Sequence, residues 1–260
     1  MRKSIIASLL LTTALSVSAN ETEIKDIDFS NLTDKQKTDL NIYIKNYILE
    51  NPAILYQAAD NYKNQEIENQ FKHLNTGVIT NVDKILNDPN TPYIGPKDSK
   101  KAVVLFFDYN CVYCSMLAID LEKIIKKNPE VKFIFKDMPI FEKERATSKY
   151  AAQIGVKVFK EKGGESYFNY HNDIFRAGRD ERGLEMEEVN DIAKKYGVES
   201  IEKLENADIV DESMLLSQTL KIIGTPTLIF LPTSNQSEDN VRVIMKDLKE
   251  DALQQQIDKL

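Results

Sequence analysis

Apolar residues recur along this chain in two rhythms, and each rhythm predicts a different element. From residue 33 to about 88 the rhythm is helical. Leu40, Tyr43, Ile44, Tyr47 and Ile48 stand at i, i+3, i+4, i+7 and i+8 and share one helix face. Asn51-Pro52 predicts a break, with Asn51 as N-cap and Pro52 in the first position of a second helix. Ile54, Leu55, Ala58 and Tyr62 mark its apolar side. Ile67, Phe71, Leu74, Val78, Val82 and Ile85 continue the stripe, weakened at Gly77. Too few residues here could pack a core unaided, so the stripe must bury against the rest of the chain or against a second copy.

Asp88-Pro89-Asn90-Thr91-Pro92 is a turn-rich break, and the rhythm changes beyond it. Ala102 to Asp108 is a continuous apolar run suited to a strand buried on both faces. From Cys114 the period is helical again through Leu117, Ala118, Leu121, Ile124 and Ile125, until Asn128-Pro129 ends it. Val131 to Lys136 predicts a second buried strand, completing a βαβ unit with a parallel pair. Residues 142 to about 222 read as helical. Tyr150, Ala151, Ile154, Val158 and Phe159 form one stripe, Phe168, His171, Asn172 and Phe175 another, and Val189, Ile192, Ala193 and Tyr196 a third, closed by Gly197 as C′ residue. Thr227–Leu231 and Val241–Ile244 predict two further strands, and Lys249–Leu260 a terminal helix. The order is βαβ, a helical insert, then ββα, an α/β arrangement preceded by a helical region.

The first residues have a separate logic. Arg2 and Lys3 give a positive start, Ile5 to Val17 is apolar or small, and Val17-Ser18-Ala19 offers small side chains for cleavage. This predicts a secretory signal peptide over residues 1–19, too short for a spanning helix, and a mature chain without stable membrane insertion. The remaining organisation is a helical region over 20–90 and a second domain over 91–260, with its insert at about 142–222. Acidic residues number 41 against 34 basic, for a net charge of −7, and no basic cluster is present. Nucleic acid is therefore an unsuitable partner.

Export makes the cysteine count informative, because exported proteins often use several disulfides as staples. This chain has two cysteines, Cys111 and Cys114, where the first strand hands over to the first helix. A bridge across four residues constrains almost no loop. Zinc takes four ligands, and the two histidines, His73 and His171, lie far apart in sequence. A Cu(I) site on two soft thiolates is chemically open. Thiol–disulfide exchange fits best. Cys111 stands where a helix N-terminus favours negative charge, which makes it the attacking sulfur. Cys114, a turn inside, resolves the mixed disulfide. Gly224-Thr225-Pro226-Thr227, ahead of a strand, is a second feature of the same chemistry, since proline is tolerated where a strand begins. His171 reads as a packed or surface residue.

With "FFDYNCVYC", the helical insert and "GTPT" in that order, residues 91–260 resemble the thioredoxin superfamily, and more narrowly the bacterial DsbA-like thiol–disulfide oxidoreductases. The resemblance implies a thioredoxin fold with a cis Pro226 packed against the cysteine pair. It implies that Thr225 binds the client backbone as an added strand, and that Val112 and Tyr113 tune the redox potential. No cofactor or metal is implied, and Pro226 would shield the sulfurs from metal. Many relatives carry a buried acid six residues before the first cysteine, where this chain has Leu105; Asp108 is the nearest carboxylate. The helical region, with its break at Glu50-Asn51-Pro52, resembles the self-association arm of ScsC-type members. The implied protein is a periplasmic disulfide isomerase or oxidase, acting as a homo-oligomer on cysteine-containing exported proteins. A membrane redox partner of DsbB or DsbD type would recycle it. The alternative is a periplasmic Cu(I)-binding chaperone using the same thiols.

Overall fold

The structure is a computed structural model that describes residues 31–178, 183–199 and 207–260. The predicted signal peptide lies outside the described residues, as do the side chains of Ile67 and Phe71. The chain divides into two compact units, one ending at Asn61 and the other running from Tyr62 to Leu260.

The first unit holds α1 (Asp34–Glu50) and the start of α2 (Ala53–Thr80). Thr33 opens α1 with a capping box, its hydroxyl accepting from the Gln36 N–H while the Gln36 side chain accepts from the Thr33 N–H. The break falls where the sequence predicts it, but Asn51 acts in the opposite sense. Its Nδ2 donates back to the Tyr47 carbonyl at 2.9 Å, so its side chain closes α1 instead of capping α2. No residue of α1 is buried.

The second unit is built on a five-stranded sheet of order β1-β3-β2-β4-β5. The strands are β1 (Tyr93–Ile94), β2 (Lys101–Phe107), β3 (Lys132–Asp137), β4 (Thr227–Pro232) and β5 (Arg242–Ile244). β2 and β3 run parallel, joined by α4 (Val112–Lys127), and the other pairs are antiparallel. The predicted strands all form, within a residue or two of their expected limits. β1, two residues long on the edge of β3, carries no periodic signal and was not legible.

Alternation along the strands divides the core. Val103, Leu105 and Phe107 of β2, with Phe133 and Phe135 of β3, face α4, α5 (Thr147–Ala177), α6 (Met186–Lys195) and α8 (Glu250–Asp258). Ala102, Val104 and Phe106 face the other way. There they meet Leu74 and Val78 of α2, Ile85 and Leu86 of α3 (Val82–Leu86), and Leu216 of α7 (Ala207–Thr219). The stripe read across residues 54–85 therefore splits, its C-terminal part buried and Leu55 and Tyr62 exposed.

The first two stripes of the insert lie on one element, α5, which breaks at Gly163 (φ +82°). Its neighbour Gly164 lets the β1 edge approach, since a Cβ there would meet the Tyr93 carbonyl oxygen at 2.3 Å. Gly197 is the predicted C′ residue, with φ +66°. The N–H of Val198 reaches the Ala193 carbonyl, as in a Schellman motif.

Candidate active site

β2 delivers the chain to a tight turn, Asp108-Tyr109-Asn110, from which α4 starts. The Cys111 N–H donates to the Asp108 carbonyl at 3.1 Å, and Cys111 is the N-cap of α4. Its carbonyl accepts the first helical bond, from Ser115 N–H at 3.1 Å. Cys111 and Cys114 are both free thiols and both buried. Between them Val112 and Tyr113 are exposed, followed on the same helix by exposed Met116.

The second wall comes from far along the chain. After α7, Lys221 takes a left-handed conformation (φ +56°), and the Ile222 N–H reaches the Ser217 carbonyl at 2.9 Å. This turn buries Ile222 and leaves Ile223 85% exposed. The Thr227 hydroxyl then donates to the Gly224 carbonyl at 2.7 Å, fixing the loop before β4. The Thr225–Pro226 peptide is cis, as the resemblance implies. In its thiol form Cys111 Sγ donates to the Thr225 carbonyl at 3.3 Å. Thus the Cys111-Val112-Tyr113-Cys114 segment and the Thr225-Pro226 loop, more than a hundred residues apart in sequence, are brought together at Cys111.

The two sulfurs are electrostatically unequal. Cys111 is lowered to about 6. The first cause is the hydrogen bond from the Cys114 thiol, which outweighs the opposing cost of burial; the Thr225 side chain and the N–H groups of Cys114 and Tyr113 add to it. The helix N-terminus that the sequence points to does contribute through those N–H groups, but the neighbouring thiol contributes more. Cys114 is pushed well above the usual thiol range, first by burial and then by the Cys111 sulfur, against partial relief from the Asp108 backbone. A sulfur that ionises near neutral pH and a second thiol that does not are what exchange requires.

Asp108 has a part that the sequence does not show. Its Oδ1 accepts from the Asn110 N–H at 2.7 Å and from the Ser148 hydroxyl at 2.8 Å, and its Oδ2 accepts from the Phe141 N–H at 2.9 Å. Asn110 Nδ2 donates in turn to the hydroxyls of Thr147 and Ser148. The carboxylate therefore ties the cysteine turn to the start of the insert. Burial raises its pKa, with those donors pulling the other way. Leu105 is an apolar core residue, paired in register with Phe135 and Leu228. His171 is fully buried among Phe107, Phe135, Phe168 and Phe175, and desolvation holds its pKa at about 3. Its Nδ1 lies 3.3 Å from the Tyr109 hydroxyl. His73 is exposed in α2. Among the described residues, no group of three or more His, Cys, Asp or Glu side chains is placed to hold a metal ion.

A family model described as thioredoxin matches residues 87–259, which take in the strands, the cysteine turn and the cis-proline loop. The chain belongs to the thioredoxin family. Three solved structures place it among the thioredoxin-like proteins more finely. Salmonella enterica Typhimurium BcfH is 28% identical, with 86% of this chain and 96% of that chain covered and a TM-score of 0.75. The catalytic domain of Proteus mirabilis ScsC is 26% identical over 71% of this chain and 97% of that one, with a TM-score of 0.60. The thiol-disulfide exchange protein alpha-DsbA2 from Wolbachia pipientis is 26% identical over 72% and 95%, with a TM-score of 0.59. No curated protein matches the chain. The neighbours of this thioredoxin-family chain are thus of the DsbA-like and ScsC type.

Proposed function

We propose that this protein is an exported thiol–disulfide oxidoreductase that exchanges disulfides with cysteine-containing proteins in the periplasm. The observation that carries this reading is the asymmetry of the pair. Cys111 is held at about 6 beside a Cys114 pushed well above the thiol range. In oxidation, a client thiolate attacks Cys111 of the Cys111–Cys114 disulfide, and Cys114 leaves as a thiolate that takes up a proton. A second client thiolate then attacks the client sulfur of the mixed disulfide. Cys111 leaves as a stable thiolate, the client is oxidised by two electrons and the pair is reduced. Isomerisation starts from the reduced pair, with Cys111 attacking a wrong client disulfide and Cys114 providing release.

Client docking follows from what surrounds the sulfurs. Val112, Tyr113, Met116 and Ile223 present exposed apolar surface, which suits unfolded segments still carrying unpaired cysteines. The chain at Thr225-Pro226, just ahead of β4, offers backbone to an extended client segment. Val112 and Tyr113, the two residues enclosed by the pair, set its potential in this reading.

Export rests on Arg2, Lys3 and the apolar run to Val17. No helix among the described residues is long and apolar enough to cross a membrane. The exposed Tyr43, Tyr47, Leu49 and Leu55 of the first unit support a homo-oligomer, which favours isomerisation over simple oxidation. Recycling would fall to a membrane oxidant or reductant of DsbB or DsbD type.

Trapping tests the mechanism. Cys114→Ser should accumulate client proteins as mixed disulfides through Cys111, and Cys111→Ser should abolish exchange. Full exchange by Cys111→Ser would overturn the reading. Stoichiometric Cu(I) retention by a wild type without dithiol activity would favour the copper chaperone instead.

A further inference from the structure

Asn110, the residue before the nucleophile, makes more side-chain bonds than a turn needs. Its Nδ2 donates to Thr147 Oγ1 at 3.1 Å and to Ser148 Oγ at 2.9 Å, and its Oδ1 accepts from Arg145 Nη1 and the Leu184 N–H, both at 3.4 Å. A guanidinium and a backbone N–H can only donate, so they fix which way the amide faces, and its NH2 must meet the two hydroxyls. The Asn110 N–H donates to Asp108 Oδ1, which also accepts from the Ser148 hydroxyl. Ser148 therefore gives its own proton to Asp108 and takes one from Asn110. Asp108, Asn110 and Ser148 close a ring of three bonds.

The insert departs from ordinary helix chemistry to receive this amide. α5 begins behind Ala146, which offers no side-chain cap, although Thr147 and Ser148 follow directly. Both are buried, and their hydroxyls accept from Asn110. A Cβ at Gly183 (φ +79°) would overlap Arg145 Nη1, so glycine leaves the guanidinium its place beside Asn110. The start of α5, the segment before it and the lead into α6 thus meet on one side chain.

Cys111 follows immediately. Its N–H is held by the Asp108 carbonyl, and its Sγ lies 3.3 Å from the Thr225 carbonyl and within bonding reach of the N–H groups of Cys114 and Tyr113. Such alignment has to be kept within about 0.5 Å. The exposed side chains of Val112 and Tyr113 do not supply that restraint.

We propose that Asn110 is a positioning residue for exchange: its amide clamps the cysteine turn to the helical insert and so keeps the Cys111 sulfur aligned with the first N–H groups of α4. The inference rests on the exchange reading above and gives the insert a part in the reaction. Without the clamp the turn settles in other conformations, the thiolate loses donors, and the reduced pair is less favoured. The oxidised pair carries no thiolate to lose them, so the reduction potential falls.

The test uses thiolate absorbance against pH and equilibrium with a glutathione buffer. Both are measured on the full chain and on Asn110→Ala, Thr147→Val, Thr147→Ser and the combined Asn110→Ala, Thr147→Val variant. Asn110→Ala should raise the Cys111 midpoint from about 6 by about one pH unit. At about pH 8 its reduced pair should lose about tenfold against glutathione, equivalent to about 30 mV. Thr147→Val should move both quantities the same way by less, and Thr147→Ser should move neither. The combined variant should shift by less than the sum of the two single changes. A purely structural role would lower the urea midpoints of oxidised and reduced protein equally and leave both quantities in place. Wild-type values in Asn110→Ala, whatever its stability, would overturn the proposal, as would additive shifts. If Asn110→Ala does not fold, Thr147→Val decides, and an unmoved thiolate midpoint there overturns it. A wild type without exchange at any pH refutes the exchange reading itself. An exchanging wild type beside an Asn110→Ala with an unmoved midpoint refutes only the clamp.

Discussion

Single residues set the chemistry of this protein through what lies within a few ångströms of them. The Cys114 thiol is the first cause of the low Cys111 pKa, so Cys114→Ala should move the Cys111 thiolate midpoint upward from about 6. Thiolate absorbance against pH measures this, and an unmoved midpoint would assign the effect to the helix N-terminus instead. His171 gives a second residue-scale prediction. Its folded pKa of about 3 lies below the ordinary 6.5, so the unfolded chain binds the proton more readily. The neutral ring is fully compatible with folding above about pH 6.5, and stability falls as pH drops from there toward 3, by about 1.4 kcal/mol per pH unit. In His171→Phe that slope should be absent from the difference between urea midpoints at pH 6 and pH 4.5. The loss of its contact with Tyr109 lowers stability equally at both. Both sulfurs were legible in the sequence as a pair at a strand-to-helix turn. Asp108 was legible only as the nearest carboxylate. Its bonds run to Phe141 and Ser148, and contacts across that distance leave no periodic trace.

Elements were more legible than the bonds between them, because burial on one or both faces writes a period into the sequence. β2, β3, β4 and α4 follow from such periods, and β1 does not, since two edge residues are too few to show one. The helical stripe from Ile54 to Ile85 shows the limit of the method. Periodicity reports an apolar face but not what covers it, and here its C-terminal part is buried within the second unit's own core. Leu74 is 4% exposed in its core, and Leu74→Ala should cost about 2–5 kcal/mol. Chemical denaturation checks the value, and a loss below about 1 kcal/mol would place the residue outside the core. The C-terminus of α7 offers the opposite sign. Lys221 occupies a left-handed C′ position at a cost of about 1–2 kcal/mol for a side chain, while glycine there would add about 0.5–1 kcal/mol of unfolded-state entropy. Lys221→Gly should therefore stabilise by up to about 1 kcal/mol, seen as a rise of a few degrees in Tm.

At the scale of the whole molecule, the two units differ in how far they satisfy their own apolar surface. The second unit buries apolar residues on both faces of its sheet, whereas α1 buries none and leaves Tyr43, Ile44 and Tyr47 of its apolar stripe exposed. A helix with such a stripe is marginal alone in water, because most helical stability in proteins comes from packing. A second copy offers the same stripe and can cover it isologously. Assembly through the first units would carry several Cys111 sites on one particle and raise the effective concentration of the second site once a client is held at the first. Proofreading a misfolded client needs repeated attack, and so gains from this; a single oxidation does not. The expected outcome for Tyr43→Glu with Tyr47→Glu is a fall in solution mass to that of one chain. Rescue of a scrambled multi-disulfide client should fall with it, while oxidation of a two-cysteine peptide continues at the wild-type rate. Sedimentation and the two activity assays, run on the same preparations, check all three. A variant that keeps its mass would remove the first unit from assembly, and one that becomes a monomer with full rescue would separate assembly from isomerisation.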